Sequence, residues 1–371
     1  MGIASRLKTT CKETSMILRS LAYSLSKSKN VCRGETRSLP VDIVVTWVDG
    51  SDPEWLADKE YHLKQVNTEQ QTGNSACRYR EWDFFRYWFR AIETYAPWVN
   101  CVYFVTYGHF PDWLNTESPK LKVVRHDEFI PKEYLPTFSS IPIELNLHRI
   151  PGLSENFIYF NDDVFLSRPC SPADFFVDGK PVLCPVPVPM SLYRNETPLH
   201  IMCSTYSEIN AYNNISDAIY HNAHLWYSPQ NLRQFGPISN AYRKNEISGM
   251  YFSHMGVPFV KNTMTRAWKK YTVIAKTCTH KFRTPMDVMH YLFSAEDIIS
   301  GNFIPCTLNH YGKILNMEDF AAIERIFANR DTLMVCLNDS NSYTQETVNK
   351  INTKIGEILQ HTFPLKSCFE K

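Results

Sequence analysis

No run of about 18 apolar residues occurs in this 371-residue chain, so an ordinary membrane-spanning helix is not expected. No apolar stretch follows the first basic residues, so a secretory leader is not expected either. The eleven cysteines include no Cys-x-x-Cys pair and no metal-finger spacing. An odd, dispersed set in a long chain predicts reduced thiols in a cytoplasm, not a disulfide framework. Net charge is only +1, which gives no footprint for nucleic acid. What is present is ordinary for a globular protein, at 44% hydrophobic and 21% charged, with aromatics high at 13%. The length suits one large α/β domain or two smaller ones.

Charge is unevenly placed. Residues 1–37 carry eight Lys or Arg against Glu13 and Glu35, a net +6, which leaves the remainder at −5. Ile3, Leu7, Cys11, Thr14, Leu18, Leu21 and Leu25 recur at spacings of three and four, the stripe of a helix. A basic amphipathic helix can lie on an anionic membrane surface; the alternative is a helix packed on the body of the protein.

The most informative stretch is Phe157-Ile-Tyr-Phe-Asn-Asp-Asp-Val-Phe-Leu166. Phe157 to Phe160 is short, aromatic and β-branched, and predicts a buried strand. Two adjacent carboxylates at its end are costly without a cation. In an open α/β sheet, ligands bind at the carboxyl ends of the strands. Asp162 and Asp163 are therefore candidate ligands for Mg²⁺ or Mn²⁺ against phosphate oxygens, with Asn161 beside them. The alternative is an Asn-Asp turn joining two hairpin strands.

Val41 to Val48 predicts another buried strand, running into Asp49-Gly-Ser-Asp-Pro53. There Gly50 permits a tight turn, Asp52 caps a helix and Pro53 suits its first position. Such an opening offers backbone N–H groups to an anion, with Asp49 facing the ligand; the alternative is plain capping chemistry. Arg78 to Tyr95 predicts a helix, Cys101 to Thr106 and Leu121 to Arg125 two more strands. This alternation implies βαβ units and a mostly parallel twisted sheet, Rossmann-like or GT-A-like, under a helical, loop-rich cap. Ser139 or Ser140 caps a helix on which Glu144 and His148 share a face, with Arg149 next to them. That face either lines a site or is an exposed, ion-paired surface.

Pro181 to Pro198 suits extended segments, and 199–250 mixed short helices. We expect 181–250 to form a cap on the acceptor side. Ser253 to Phe259 is expected to be a loop, with His254 a candidate general base and Arg283 a candidate phosphate clamp. A helix spans Thr263 to Thr277, another ends at Phe293, a strand covers Met334 to Leu337 and a helix closes the chain over Thr344 to Gln360.

Four ordered blocks resemble the Stealth proteins. They are Asp42 to Pro53; Arg78 to Phe165 with Arg90, Ala96-Pro-Trp98, Pro111-Asp-Trp-Leu114, Pro136-Thr-Phe-Ser-Ser140, Glu144, His148-Arg149 and Asn161-Asp-Asp163; Ser253 to Pro258 with Phe282-Arg283 through Asp287-Val288; and Val335 to Asp339 with Phe363 to Glu370. The third block departs from the family pattern Gly-Gly-His-Met-Pro-His. His254 is kept, but the leading glycines and the second His are replaced.

The family is similar to the N-acetylglucosamine-1-phosphotransferase of animals and to bacterial capsule phosphotransferases. The resemblance implies a catalytic domain over 38–371 that moves hexose-1-phosphate from a UDP-hexose to an oligosaccharide acceptor, expected to be lipid-linked, and releases UMP. In that scheme Asp162 and Asp163 hold the metal, Arg283 and Arg149 assist, His254 is the base with His148 as second choice, and Trp47 and Asp49 lie near the nucleotide. It also implies a cytoplasmic protein, peripheral on the inner face of a bacterial membrane. The alternatives are a metal-dependent glycosyltransferase that releases UDP and a non-catalytic polysaccharide-assembly subunit.

Overall fold

The computed structural model describes residues 3–28, 39–65, 79–80, 82–190, 197–252 and 254–371, with side chains of the first helix described for 11–23. The chain opens with α1 (Ile3–Ser28), followed by β1 (Val41–Thr46), α2 (Pro53–Leu63), α3 (Phe85–Tyr95), β2 (Val102–Thr106), β3 (Leu121–Arg125) and α4 (Ser140–Asn146). Then come β4 (Asn156–Asn161), β5 (Val164–Leu166), β6 (Phe176–Val177), β7 (Lys180–Leu183), α5 (Thr197–Tyr212), α6 (Ile215–His221), α7 (Ala223–Trp226), α8 (Phe235–Lys244) and β8 (Val257–Val260). The last third holds α9 (Lys261–Lys270), α10 (Val273–Cys278), α11 (Tyr291–Ser300), β9 (Ile304–Pro305), β10 (Gly312–Asn316), α12 (Phe320–Asn329), β11 (Met334–Asn338) and α13 (Gln345–Thr362).

The main sheet has the order β3-β2-β1-β4-β8. Its first four strands are parallel, and β8 runs antiparallel to β4. The expected α/β class and mostly parallel sheet are therefore present. Period-two alternation divides the strand residues between two cores. Val44, Tyr103, Val105, Phe157 and Tyr159 face the layer built with α4 to α11. Ile43, Val45, Val102, Phe104, Ile158 and Phe160 face α3, α13 and the second sheet. The four residues Phe157 to Phe160 are at most 1% exposed, and each such side chain stabilises the fold by about 1.5–3 kcal/mol.

A second sheet, β10-β11-β5, lies beside the first. The turn at Asp162-Asp163 carries the chain from β4 to β5, and these strands belong to different sheets. The hairpin alternative is thus replaced by a crossover. Its geometry is fixed from β11, where the Leu337 N–H donates to the Asp163 carbonyl at 2.9 Å.

Several element expectations need correction. The helix expected from Arg78 begins at Phe85, and Arg78 itself lies outside the described residues. Arg80 leaves the helix path to pair with Asp339 at 2.6 Å, and Trp82 stacks on Phe84. Part of the expected 253–259 loop is strand β8, in which Pro258 is tolerated because the strand is at an edge; Ser253 is outside the described residues. The helix over 263–277 is two helices, broken where Tyr271 is pinned through its hydroxyl to Glu296 at 2.7 Å. The helix ending at Phe293 begins at Tyr291 instead and runs to Ser300, where Gly301 at φ +74° caps it.

Helix α1 packs on the body through Glu13, Met16 and Ser20, which are buried. Most of the described part of its expected stripe faces outward: Cys11 and Thr14 are exposed, Leu18 is 61% exposed and Leu21 is half-buried. The Ile3, Leu7 and Leu25 side chains and residues 29–37 lie outside the described set. Among the described residues no helix is long and apolar enough to cross a membrane.

Candidate active site at the carboxyl end of β4

The site follows from strand alternation. Tyr159 and Asn161 point to the same face of β4 as Phe157. On that face the Tyr159 hydroxyl lies 2.7 Å from Asn161 Oδ1, 3.2 Å from Glu144 Oε1 and 3.2 Å from Thr46 Oγ1. A phenol has one proton, so it donates along the short contact to Asn161 and accepts from Thr46. Burial, followed by the Glu144 charge, raises the Tyr159 pKa well above its ordinary value and keeps it a donor.

Glu144 is buried, so the exposed ion-paired alternative for its helix face does not hold there. Its Oε2 lies 2.6 Å from His290 Nδ1. Burial alone would raise its pKa, but His290, Ser140 and Arg283 together bring it down to about 2, so it is a carboxylate at neutral pH. Arg283 donates from Nη2 to Ser140 Oγ at 2.8 Å, and its charge acts on both Glu144 and His254.

His254 enters from the loop before β8. Its Nε2 is 3.3 Å from Asn161 Nδ2 and 3.4 Å from Asp163 Oδ2, and the side chain is 43% exposed. Burial of the ring lowers its pKa, but the Asp163 carboxylate more than compensates and the pKa is raised. Gly256 explains part of the departure from the family pattern: a Cβ there would lie 2.7 Å from Phe160 Cζ. The missing side chain lets this loop press directly onto β4.

The β1 loop leaves the sheet beside this cluster, because Thr46 pairs with Asn161 and neighbouring strands are roughly 5 Å apart. Asp52 caps α2 as expected, accepting from the Trp55 N–H at 2.7 Å. Asp49 Oδ1 is engaged by the Ser51 N–H and hydroxyl at 2.8 and 2.6 Å. Gly50 is needed for close approach, since a Cβ would fall 1.9 Å from the Tyr79 carbonyl oxygen. Trp47 is only 6% exposed and packs against Phe85 and Phe104, so its role here is core packing. His109, not singled out from sequence, accepts the Asp49 N–H at 2.9 Å through Nε2.

His148 and Arg149 are placed elsewhere. Arg149 lies over the Trp268 ring at 4.6 Å, and the His148 ring sits 5.8 Å from the same indole. Lys261, whose charge acts on His148, follows Val260, which pairs with Asn156 at the amino end of β4. That strand is roughly 17 Å long, and the Asp163 cluster is at its other end. Burial and the neighbouring cations push His148 down to about 3, so it is a neutral ring in the body of the protein.

The residues of this turn fit the expected metal. Among the described residues Asp163 Oδ1 is buried and has no hydrogen-bond partner, an arrangement a cation would satisfy. With the exposed Asp162 next in the turn and the Asn161 carbonyl beside it, the oxygen donors suit Mg²⁺ or Mn²⁺. Sequence reasoning missed Tyr159, His290 and Cys336, whose Sγ is 3.5 Å from Asp163 Oδ2. His290 and Cys336 join the site through long-range contacts that leave no local pattern, whereas Tyr159 lies two residues before Asn161 on the same strand face.

Comparison with known proteins places the chain among relatives. Residues 39–65 match Stealth protein CR1, conserved region 1, and residues 78–182 match Stealth protein CR2, conserved region 2. The chain is 38% identical over 337 residues to capsular polysaccharide phosphotransferase WcwK of Streptococcus pneumoniae, covering 89% of this chain and 99% of that protein. It is 35% identical over 340 residues to receptor polysaccharide phosphotransferase WefC of Streptococcus oralis, with the same coverage. The solved WbbM bifunctional glycosyltransferase superimposes with a TM-score of 0.37 at 11% identity, covering 88% of this chain and 50% of that one. That last likeness fixes neither fold nor chemistry.

Proposed function

The chain belongs to the Stealth family and is a phosphotransferase, and from that premise we propose that it transfers hexose-1-phosphate from a UDP-sugar to a hydroxyl of a growing surface polysaccharide. The acceptor oxygen bonds to the β-phosphorus, the bridging P–O bond breaks, and UMP leaves. The sugar C1–O bond is untouched, so the anomeric configuration is kept. The observation that carries this reading is the convergence of His254, Asp163, Asn161, Arg283 and Glu144 at the carboxyl end of β4.

In this reading His254 takes the proton of the acceptor hydroxyl, a role worth about 10²–10⁴ in rate. Asp163, 3.4 Å away, stabilises the imidazolium that forms, and Asn161 holds the ring. Arg283 offers its guanidinium to the phosphate oxygens, a contact worth about 10²–10³. Glu144 and Ser140 hold that guanidinium in place. A divalent cation on Asp162 and Asp163 would neutralise pyrophosphate charge. The Asp49–Pro53 turn is the side for the nucleotide.

The cap reading for 181–250 draws support from packing. Helix α5 is tied to the 284–290 loop, where the Ser204 hydroxyl donates to the Pro285 carbonyl and the Met289 N–H to Thr205 Oγ1. The acceptor would enter between this cap and the cluster.

We place the protein on the inner face of the cytoplasmic membrane, with a lipid-linked acceptor. The outward Leu18 stripe supports this, as does a cleft of about 520 Å³ between α1 and α6–α7. Lys12, Arg19, His221 and His224 line it. Removing residues 1–37 should shift the protein from membrane to soluble fractions; unchanged fractionation would reject the placement. For the chemistry, Asp162→Ala and Asp163→Ala should each abolish turnover without unfolding the protein. Near-normal turnover in either rejects the assignment.

A further inference from the structure

We propose that Asp163, His254 and Cys336 form a zinc-type site of one oxygen, one nitrogen and one sulfur donor, and that Zn²⁺ held there blocks the enzyme. The blocking half rests on the roles given above to Asp163 and His254; the binding half does not.

The geometry is close to what the ion requires. His254 Nε2 and Cys336 Sγ lie 3.4 and 3.5 Å from the same oxygen, Asp163 Oδ2. All three donor atoms fall within 4.8 Å of one another. Tetrahedral zinc with N, O and S ligands sets its donor atoms roughly 3.3–3.6 Å apart. The donors come from three places in the fold: the turn after β4, the loop before β8, and β11. Cys336 is a free thiol, fully buried, and its position is set by the pairing of its strand residue with Val164. His254 and Asp163 are partly exposed, which leaves one side open to a fourth ligand such as water. The unpartnered Asp163 Oδ1 is a second, independent sign that this carboxylate is built to face positive charge.

The donor types discriminate between metals. Mg²⁺ takes oxygen ligands and keeps its waters, whereas imidazole and thiolate suit Zn²⁺. When Zn²⁺ binds, the S–H proton leaves to solvent and the sulfur lone pair forms the metal bond, with no change in oxidation state. The His254 lone pair is then engaged, and neither it nor Asp163 can serve the acceptor hydroxyl.

The test is a titration of the metal-free, full-length protein with Co²⁺, a spectroscopic stand-in for Zn²⁺. One equivalent should give a thiolate-to-cobalt charge-transfer band in the near ultraviolet, removed by an equal concentration of Zn²⁺ and not by an equal concentration of Mg²⁺. Cys336→Ser should lose the band. His254→Ala should weaken binding by more than the roughly 10–100-fold that outer-shell changes cost. Zn²⁺ should inhibit turnover in the wild type and far less in Cys336→Ser, each measured against its own zinc-free rate. A Co²⁺ spectrum without the band overturns the proposal, as does a band that survives Cys336→Ser. Should that variant fail to fold, unchanged Co²⁺ affinity in His254→Ala overturns it equally. If no donor is ever turned over, the proposed function fails, while the cobalt spectrum still decides the site.

Discussion

Replacing Tyr159 by Phe isolates one hydroxyl at the centre of the site. The ring is 1% exposed and stays in place, so no cavity opens. What is lost is the donor 2.7 Å from Asn161 Oδ1 and the acceptor for Thr46. Glu144 keeps His290 at 2.6 Å and loses only a contact at 3.2 Å. Asn161 and Thr46 are half-buried, so the loss is at the lower end of the roughly 1–3 kcal/mol that an unsatisfied buried group costs, and the urea midpoint should fall by that free energy divided by the urea m-value. The larger effect is expected in catalysis. Among the described residues Asn161 and Asp163 hold His254, and a misplacement on the order of 1 Å costs about 100-fold, so kcat should fall roughly 10- to 100-fold. The donor KM should change little, because among the described residues neither Arg283 nor the Asp49–Pro53 turn hydrogen-bonds Tyr159. Steady-state kinetics beside urea unfolding separates the two effects. A variant that loses stability but keeps its kcat would refute the positioning argument. One that loses neither would show that the hydroxyl has no energetic role.

Arg90 forms a two-pronged, buried pair with Glu370, Nε and Nη2 each 2.7 Å from a carboxylate oxygen, and also donates to the Phe363 carbonyl. Arg90→Ala should cost about 3–5 kcal/mol by urea unfolding, and Arg90→Met with Glu370→Leu should recover most of it. Asp297 is buried, which pushes its pKa up to about 7 against hydrogen bonds from Asn302 and Thr263. The unfolded chain releases that proton near pH 4, so between pH 4 and 7 the native state holds more protons and stability falls as pH rises. The loss is a few kcal/mol, complete above about pH 7. Asp297→Asn should therefore gain stability on the wild type between pH 5 and pH 8; an equal change in both proteins refutes this.

The central strands were legible because they are buried and rich in aromatic and β-branched residues. Val41 to Thr46 and Asn156 to Asn161 form adjacent parallel strands in register, and the Asn-Asp-Asp run lies where a strand-end site was expected. Strand β8 was not legible, since Pro258 argues against a strand unless an edge position is known in advance. Glu144 reads as surface from its charge and its spacing to His148. It is buried because Tyr159 and His290, 15 and 146 residues away, reach it. His148 and Arg149 carried the right residue types, but they follow α4 toward the opposite end of the sheet. The crossover at Asp163 was hidden too, because it depends on β11, far along the chain. Local pattern thus located the ligand-binding edge, while the partners that tune each group came from the tertiary fold.

The measurement that tests the central claim most directly follows the β-phosphate. A panel of UDP-hexoses labelled there is incubated with enzyme, Mg²⁺ and a lipid-linked oligosaccharide acceptor. The account predicts that label enters the acceptor in a phosphodiester and that UMP is released in equal amount. Release of labelled UDP, with unlabelled sugar on the acceptor, would contradict it and make the protein a glycosyltransferase.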